Sequence, residues 1–309
     1  MNFPCIDEEL FYKALRIRLV EERIIELYPS DKVQSPVHLS IGQEAVAVGA
    51  CQSLKQTDLL FCSYRSHAFY LAKGGRLREM FAELYGKATG CGHGKAGSMH
   101  LAAPEVGLMG SSAVVASTIP HAVGAALAAE RLKKPQVIVA VFGDGATEEG
   151  VYHESLNFAA LHKLPIVLLC ENNGLAVHSK LEARQAYRIT DQAKSYGLPV
   201  ACLDDGHDAM KVHEVFSGIV GEVRRSRSPH FVEIRTCRYK EHVGPGEDSD
   251  AGYRPVEELQ AWKSKDPLIL NQELVARYRP VILQEIDDAV EFAEQSPWPE
   301  KSELLSDVV

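Results

Sequence analysis

The sequence lacks several features that define particular classes of protein. Its 309 residues contain no apolar run close to the length of a membrane span, and residues 1–7 lack the pattern of a signal peptide. Lysine and arginine number 33 against 42 aspartates and glutamates, which gives a net charge of -9. A negative chain is poorly suited to nucleic acid or to an anionic membrane. We therefore expect neither partner.

Cysteine pairs in recognisable patterns are also missing. The seven cysteines are scattered along the chain, odd in number, and contain no Cys-x-x-Cys. Such a set is typical of reduced thiols rather than of disulfides or a zinc site. The cysteines and the absence of a leader pattern together predict a cytoplasmic protein.

The most informative stretch of the chain is a strand-loop-helix-strand-loop pattern. Residues 137–142 form an apolar, β-branched run that predicts a buried strand, followed by Gly143-Asp144-Gly145. A helix is predicted over about 148–161, and a second buried strand, 165–170, leads into Glu171-Asn172-Asn173. A right-handed crossover makes the two strands parallel and places both loops at one edge of the sheet.

The residues in these two loops suit a metal-bound diphosphate. Asp144 offers a carboxylate oxygen and Asn173 an amide oxygen, both of which are hard ligands for Mg²⁺. The backbone amides of Gly145 and Ala146 stand at the predicted start of a helix, where phosphate binds readily. We therefore predict a diphosphate held through magnesium.

This pair of loops resembles a known signature. Gly143-Asp144-Gly145, 26 intervening residues and Asn172-Asn173 are similar to the motif of thiamine-diphosphate enzymes. The resemblance implies thiamine diphosphate and Mg²⁺ as cofactors, with the backbone carbonyl of Leu175 as a third metal ligand. The alternative is an ordinary doubly wound fold with a chance Gly-Asp-Gly turn, which the second motif disfavours.

Two further runs resemble the alpha subunits of two-subunit 2-oxo-acid dehydrogenases. One is His38-x-x-x-Gly42-Gln43-Glu44, which implies that His38 lies near the cofactor or substrate. The other is Tyr64-Arg65-Ser66-His67, in which the family's Tyr and Arg bind the cofactor diphosphate and its His lies close by. The resemblance makes His67 and His38 candidate catalytic residues. Arginine suits that role because its fork can bind two phosphate oxygens. A hydrogen-bonded structural histidine is the alternative for His38, and a surface salt bridge for Arg65.

The polar stretch 238–254 resembles the family's catalytic loop. His242 falls on the loop histidine, so we expect it to contact the cofactor and to titrate near neutral pH as an acid or hydrogen-bond donor. An exposed loop histidine is the alternative. Val243 replaces the regulatory serine of mitochondrial relatives, and the following Gly-Pro-Gly-Glu-Asp is unlike the usual loop.

Two stretches rich in small residues are predicted to be loops. Over 107–116, the resemblance implies backbone contacts from Ala113 and Val115 to the aminopyrimidine of the cofactor. Over 86–100, five glycines include a formal Gly-x-Gly-x-x-Gly, but no strand precedes it, so we reject a dinucleotide site. This stretch resembles instead a flexible family loop near the active-site entrance.

The remaining periodicity predicts an α/β fold with a doubly wound parallel sheet, here of the thiamine-diphosphate-binding type. Further strands are expected at 58–64, 199–203 and 230–236, and helices at 9–28, 78–85, 117–132, 189–195, 209–224, 254–263 and 274–294. Ser117 is predicted as an N-cap, and Arg18 is assigned to a solvated or intersubunit face. We expect one domain over 1–309 with helical N- and C-terminal extensions.

The resemblance implies the alpha subunit of a thiamine-diphosphate- and Mg-dependent dehydrogenase. Its substrate would be a 2-oxo acid similar to pyruvate, or acetoin, and the acyl group would pass to a lipoyl carrier on an acyltransferase. The chain is too short to include the beta part, so we expect an α2β2 heterotetramer with a beta subunit. The alternatives are a carboligase or aldehyde transferase without a lipoyl partner, a non-catalytic paralogue, and an NAD-dependent dehydrogenase. Which small carbonyl compound is used stays open.

Overall fold

The computed structural model describes residues 3–250 and 252–306, and a parallel sheet lies at its centre. The strands are β1 (Leu59–Ser63), β2 (Leu108–Ser112), β3 (Ile138–Gly143), β4 (Ile166–Asn172), β5 (Leu175–Ala176), β6 (Ser179–Lys180), β7 (Val200–Leu203) and β8 (His230–Arg235). Six of them form the sheet in the order β2-β1-β3-β4-β8-β7, and every neighbouring pair is parallel. Strands β5 and β6 form a separate antiparallel hairpin.

Helices cover both faces of this sheet, which confirms the predicted α/β class. They are α1 (Ile6–Leu27), α2 (Glu44–Gln52), α3 (His67–Lys73), α4 (Leu77–Leu84), α5 (Thr118–Arg131), α6 (Gly150–Leu161), α7 (Ile189–Ser195), α8 (Ala209–Ser226), α9 (Val256–Lys263), α10 (Pro267–Leu270) and α11 (Gln272–Gln295). In the described part of the chain, no helix is both long and apolar enough to cross a membrane. That the whole chain is one domain stays a prediction.

The central strands explain the apolar runs in the sequence. Along β3, Val139 and Val141 pack into the core on one side of the sheet, while Ala140 and Phe142 pack into the core on the other. Because both faces are covered, neither face needs polar residues. The strand therefore reads as a continuous apolar run rather than an alternating one.

The strand order places a crevice between β1 and β3. From this pair the chain continues to β2 on one side and to β4 on the other, so the strand order changes direction here. In open α/β sheets, ligands bind at such a switch point, beyond the carboxyl ends of the strands. Tyr64 and Arg65 follow β1, and Asp144 follows β3, so the fold brings the predicted motifs to this edge.

Strand β2 corrects the prediction of a loop over 107–116. It pairs with β1, with a register shift between Leu60 and Phe61. Its Gly110-Ser111-Ser112 has little strand propensity, and an edge strand needs no continuous apolar pattern. Ser117 occupies the N-cap position of α5, but its hydroxyl donates to the carbonyl of Val114 (2.8 Å) and makes no capping bond.

Arg18 corrects the prediction of a solvated face on α1. Its side chain is buried, and its guanidinium donates to Glu44 (2.5 and 3.1 Å) and to Asp266 (3.0 Å). These carboxylates raise the pKa of Arg18 despite the opposing effect of burial. All seven cysteines are free thiols, as the sequence predicted.

Candidate active site

A cavity of about 250 Å³ lies at the carboxyl edge of the sheet, at the switch point. Most of the predicted site residues line it: Tyr64, Arg65, Val115, Asp144, Gly145, Ala146, Asn173, Leu175 and His242. They come from five separate segments of the chain. The sequence motifs therefore meet in one place.

Asp144 supplies the buried carboxylate of the cavity. It begins a short 3-10 helix (Asp144–Glu148) in the stretch predicted as a loop, and only 1% of its surface is exposed. Thr147 donates its hydroxyl to the carbonyl of Asp144 (2.7 Å), which holds the turn. Burial raises the pKa of Asp144, and an ion pair with Arg184 opposes that effect.

Asn173 is held in a fixed orientation next to this carboxylate. Its Nδ2 donates to Oε1 of Gln43 (2.9 Å), and its Oδ1 accepts from the amide of Leu175 (3.1 Å). An amide oxygen has two lone pairs, so Oδ1 can also bind a cation. Gln43, from the run that begins at His38, thus orients a candidate ligand 130 residues away.

The chemistry of these donors fits Mg²⁺. Asp144, Asn173 and Leu175 offer a carboxylate, an amide oxygen and a backbone carbonyl at one cavity wall. Over 3–250 and 252–306, no group of three or more His, Cys, Asp or Glu side chains is placed to hold a metal. A cation here would take its remaining ligands from phosphate and water, as Mg²⁺ commonly does.

A buried arginine without an ion-pair partner among the described residues makes the cavity suitable for an anion. Arg65 donates to the carbonyls of Leu39 (2.5 Å) and His242 (3.2 Å), and within the described residues it has no carboxylate partner. Burial and the charge of Arg238 lower the pKa of Arg65. Glu171 and Glu21 oppose this effect through space without an ion pair, so a diphosphate would supply the directly paired anion that a buried guanidinium requires.

Two histidines meet Tyr64 at one side of the cavity. The ring of His38 lies 4.5 Å from that of Tyr64 and 5.0 Å from that of His242, measured between centroids. Nδ1 of His38 is buried and has no hydrogen-bond partner among the described residues. His38 contacts the lining without forming part of it.

The pKa values of His38 and His242 correct the expectation that His242 titrates near neutral pH. Burial and the positive charges of Arg65 and Arg238 lower the pKa of His242 to about 4. Burial and Arg65 lower the pKa of His38 to about 3. Both rings are therefore neutral at pH 7, and each presents one donor and one acceptor nitrogen.

The lowered pKa values of His38 and His242 predict a loss of stability in mild acid. An unfolded histidine has a pKa of about 6.5, so between about pH 6.5 and 4 the unfolded chain binds protons that the folded one does not. The free energy of unfolding should therefore fall as the pH falls through that window. In His38→Gln, the decrease in the free energy of unfolding between pH 7 and 4.5 should be smaller by about 2 kcal/mol.

Urea unfolding at several pH values measures this decrease, with the exposed His121→Gln as control. An unchanged slope in His38→Gln would contradict it.

His67 lies away from the cavity. Its ring is fully buried, with Nδ1 3.1 Å from Oε1 of Glu21 and Nε2 2.7 Å from Oγ of Ser98. The arrangement has the connectivity of a serine-histidine-acid triad, but none of the three side chains can reach a substrate. This geometry favours a structural role over the catalytic one that the motif implied. Ala113 also lies outside the cavity lining.

The glycine-rich stretch surrounds a carboxylate instead of a cofactor. Glu83 of α4 is 1% exposed, and its carboxylate accepts four backbone N–H groups, those of Gly92, Gly94, Ala96 and Gly97, at 2.7–2.9 Å. The amides that could hold a dinucleotide phosphate are therefore occupied. The expected flexible loop at the site entrance is instead a hydrogen-bonded turn, and none of it lines the cavity.

Comparison with known proteins shows the family of this chain. The family model described as "Dehydrogenase E1 component" matches residues 12–302. The chain belongs to this family. The motif-based identification is thereby confirmed, including the prediction of an enzyme component.

Several relatives cover nearly the whole of this E1 chain. The alpha subunit of acetoin:2,6-dichlorophenolindophenol oxidoreductase from Bacillus subtilis is 35% identical over 97% of this chain and 92% of its own length. The pyruvate dehydrogenase E1 component subunit alpha of Zymomonas mobilis is 34% identical over 97% and 88%. The chloroplastic subunit alpha-3 from Oryza sativa is 38% identical over 97% and 75%.

Some residues of the candidate site could not be recognised in the sequence. Arg238 donates two hydrogen bonds to Asp248 (2.9 and 2.8 Å) and a third to the carbonyl of Val177 (2.7 Å), which fixes the His242 loop. Glu171 lines the cavity, and burial raises its pKa to about 7. The sequence did not indicate these roles, because the partners of Arg238 and the burial of Glu171 are set by the folded chain.

The packing around Gly42 gives a physical reason for the glycine in the run that begins at His38. Its φ is +95°, and a Cβ would lie 2.3 Å from the carbonyl oxygen of Cys237 and 2.6 Å from the ring of Tyr239. The amide of Tyr239 also donates to the carbonyl of Ile41 (2.8 Å). The His38 run and the His242 loop are therefore packed directly against each other.

Proposed function

We propose that this chain is the alpha subunit of a thiamine-diphosphate- and Mg²⁺-dependent dehydrogenase acting on a 2-oxo acid or acetoin. The acyl group would pass to a lipoyl carrier. One observation supports this most strongly: a magnesium-type oxygen set and a buried arginine with no ion pair among the described residues share one cavity at the switch point of the sheet. Membership of the E1 family and the names of the relatives support the same reaction class.

Different residues would bind the cation and the diphosphate of the cofactor. Asp144, Asn173 and the carbonyl of Leu175 would hold the cation, and Arg65 with the amides of Gly145 and Ala146 would hold the diphosphate. Gly145 must stay small, because a Cβ there would lie 2.8 Å from that of Ala176. Thiamine diphosphate, when bound, supplies an electron sink for carbanion chemistry next to a carbonyl.

The two neutral histidines would serve the substrate. His242 and His38 are each uncharged at pH 7, so either can donate or accept a hydrogen bond at a substrate oxygen. Their burial limits access of water to that side of the cavity. An anionic diphosphate beside Arg65 would offset part of the positive charge that lowers the pKa of His242, moving it upward toward neutrality.

A partner chain is part of the proposal. Val114, Val115 and Val177 line the cavity and are 43–66% exposed, so the mouth of the site has an uncovered apolar rim. A beta subunit in an α2β2 heterotetramer would cover this rim and exclude water. A lipoyl-bearing acyltransferase would be the next partner, and the free cysteines support a cytoplasmic location.

A substrate panel tests the proposal. The chain would be purified together with a beta subunit, loaded with thiamine diphosphate and Mg²⁺, and offered a series of 2-oxo acids and acetoin with an electron-accepting dye. Dye reduction with one substrate is the expected result. A complex that binds no thiamine diphosphate would contradict the proposal as a whole.

A carboligase without a lipoyl partner is the second candidate. The observation behind it is the loop after His242, where Glu241 accepts the amide of Gly246 (2.9 Å) and Val243 is 42% exposed. Such a loop gives a different surface for the second substrate. Coupled products from an aldehyde, formed without dye reduction, would favour this reaction.

His242 provides a separate prediction. His242→Ala should leave the affinity for thiamine diphosphate within a few-fold of wild type, because the diphosphate is held elsewhere. Turnover should fall about 10²–10⁴-fold, the usual contribution of a positioned acid or base. Cofactor titration and steady-state kinetics measure the two effects. Full activity would make His242 a bystander.

A further inference from the structure

A segment that follows the β5–β6 hairpin is hydrogen-bonded to the turn that contains Asp144. We call residues 181–187 the strap. Nε2 of Gln185 donates to Oγ1 of Thr147 (2.7 Å), and the hydroxyl of Tyr187 donates to the carbonyl of Thr147 (3.4 Å). The strap therefore covers the outer side of the 144–148 turn, away from the cavity.

Arg184 makes the most specific of these contacts. Its Nη2 donates to Oδ2 of Asp144 and its Nη1 to Oε1 of Glu148, while its Nε donates to the carbonyl of Ser179 (3.1 Å). Its side chain is only 11% exposed. With all three nitrogens engaged, the planar guanidinium has one orientation, which it imposes on the carboxylate of Asp144.

We propose that Arg184 is a positioning residue for the cation: it holds Oδ2 of Asp144 so that Oδ1 is presented to the ion. This rests on the proposed function, because Asp144 is taken as a metal ligand. Arg184 itself does not line the cavity, so it acts through Asp144. The carboxyl torsion of an aspartate is broad, and a second partner is needed to fix it.

The charges around Arg184 explain why the contact can persist with an ion bound. Glu148 shares the guanidinium, so a second anion holds Arg184 in place when a cation binds on the other side of Asp144. Before the ion binds, the guanidinium supplies the counter-charge that a buried carboxylate requires. Removing such an outer partner of a metal ligand typically costs 10–100-fold in metal affinity.

Other roles for Arg184 would change the metal affinity differently in the same experiment. If the guanidinium competed with the cation for Asp144, its removal would tighten metal binding. If it served only to fasten the strap, then loosening the strap at Gln185 would have the same effect as removing Arg184. Three variants therefore separate the roles: Arg184→Gln, Arg184→Lys and Gln185→Ala.

The measurement is a Mn²⁺ titration followed by electron paramagnetic resonance. The complex with the beta subunit is used at saturating thiamine diphosphate, so the readout is the dissociation constant of the ion and not activity. Arg184→Gln should weaken Mn²⁺ binding by about 10–100-fold. Arg184→Lys should lose less, because it retains the charge but not the fork. Gln185→Ala should stay within about twofold of wild type, since Gln185 contacts Thr147 and Glu148 but not Asp144.

Each outcome has a defined meaning. Unchanged or tighter Mn²⁺ binding in Arg184→Gln overturns the inference, and so does an equal loss in Gln185→Ala. If Arg184→Gln does not assemble, Arg184→Lys decides: a loss of about threefold or more supports the inference, and wild-type affinity overturns it. A wild-type complex that shows no cofactor-dependent Mn²⁺ binding is a failure of the proposed function instead.

Discussion

Replacing Asp144 with alanine should abolish the magnesium-dependent binding of thiamine diphosphate. Asp144 is the one carboxylate among the three proposed ligands, and magnesium keeps few protein ligands. Its removal should cost several kcal/mol of binding free energy, about a thousandfold or more in the dissociation constant. Calorimetric titration of the complex with the cofactor, with and without Mg²⁺, measures the effect.

The control for this variant must separate ligand loss from misfolding. Asp144→Ala also removes a partner of Arg184, which keeps its contact with Glu148. We therefore expect circular dichroism and subunit assembly to stay close to wild type. Glu154→Ala, at an exposed position of α6 outside the cavity lining, is the matched loss of a carboxylate. Wild-type affinity in Asp144→Ala would remove Asp144 from the metal site.

Replacing Glu83 with alanine should have the largest effect on stability. The variant leaves four backbone N–H groups of the glycine-rich turn without their acceptor, in a place with little access to water. A buried donor left unpaired costs about 1–3 kcal/mol, and water entering the gap offsets part of the sum. We expect a loss of about 3–5 kcal/mol in the free energy of unfolding.

Denaturant unfolding of the same complex measures this loss. Glu83→Gln should lose roughly half as much, because the amide keeps one oxygen and turns two donors toward two N–H groups. Glu79→Ala, on the same helix, is the matched control, since its ion pair with the exposed Arg76 is worth less than about 1 kcal/mol. A change in Glu83→Ala no larger than in Glu79→Ala would show that the turn does not depend on the carboxylate.

The metal-binding half of the site could be predicted because it depends on strand ends. Two continuous apolar runs define β3 and β4, and a parallel pair brings the residues after each run to one edge. The register confirms this: Gly143 lies opposite Glu171. Asp144 and Asn173 follow directly, so pattern and topology together were enough to place them.

The residues that support the site could not be predicted in this way. Arg18 was assigned to a solvated or intersubunit face and Arg184 received no assignment, because a single side chain gives no local signal of a partner on another element. Their partners, Asp144 and Glu44, lie 40 and 26 positions away. His67 shows the converse: a motif placed it beside Arg65, but the start of α3 turns its side chain into the core. Which carboxylate meets which cation is decided by packing.

The interlocking at Gly42 limits how this protein can diverge. No side chain fits at that position while Tyr239 stands where it does, and the two positions are nearly 200 residues apart in the chain. Loss of the ring at 239 would not make a larger residue tolerable at 42, because a Cβ would still lie 2.3 Å from the carbonyl oxygen of Cys237 and the positive φ would still disfavour it. Substitutions at 42 are therefore limited by the position of residues 237–239, and a change in either segment should be accompanied by a change in the other.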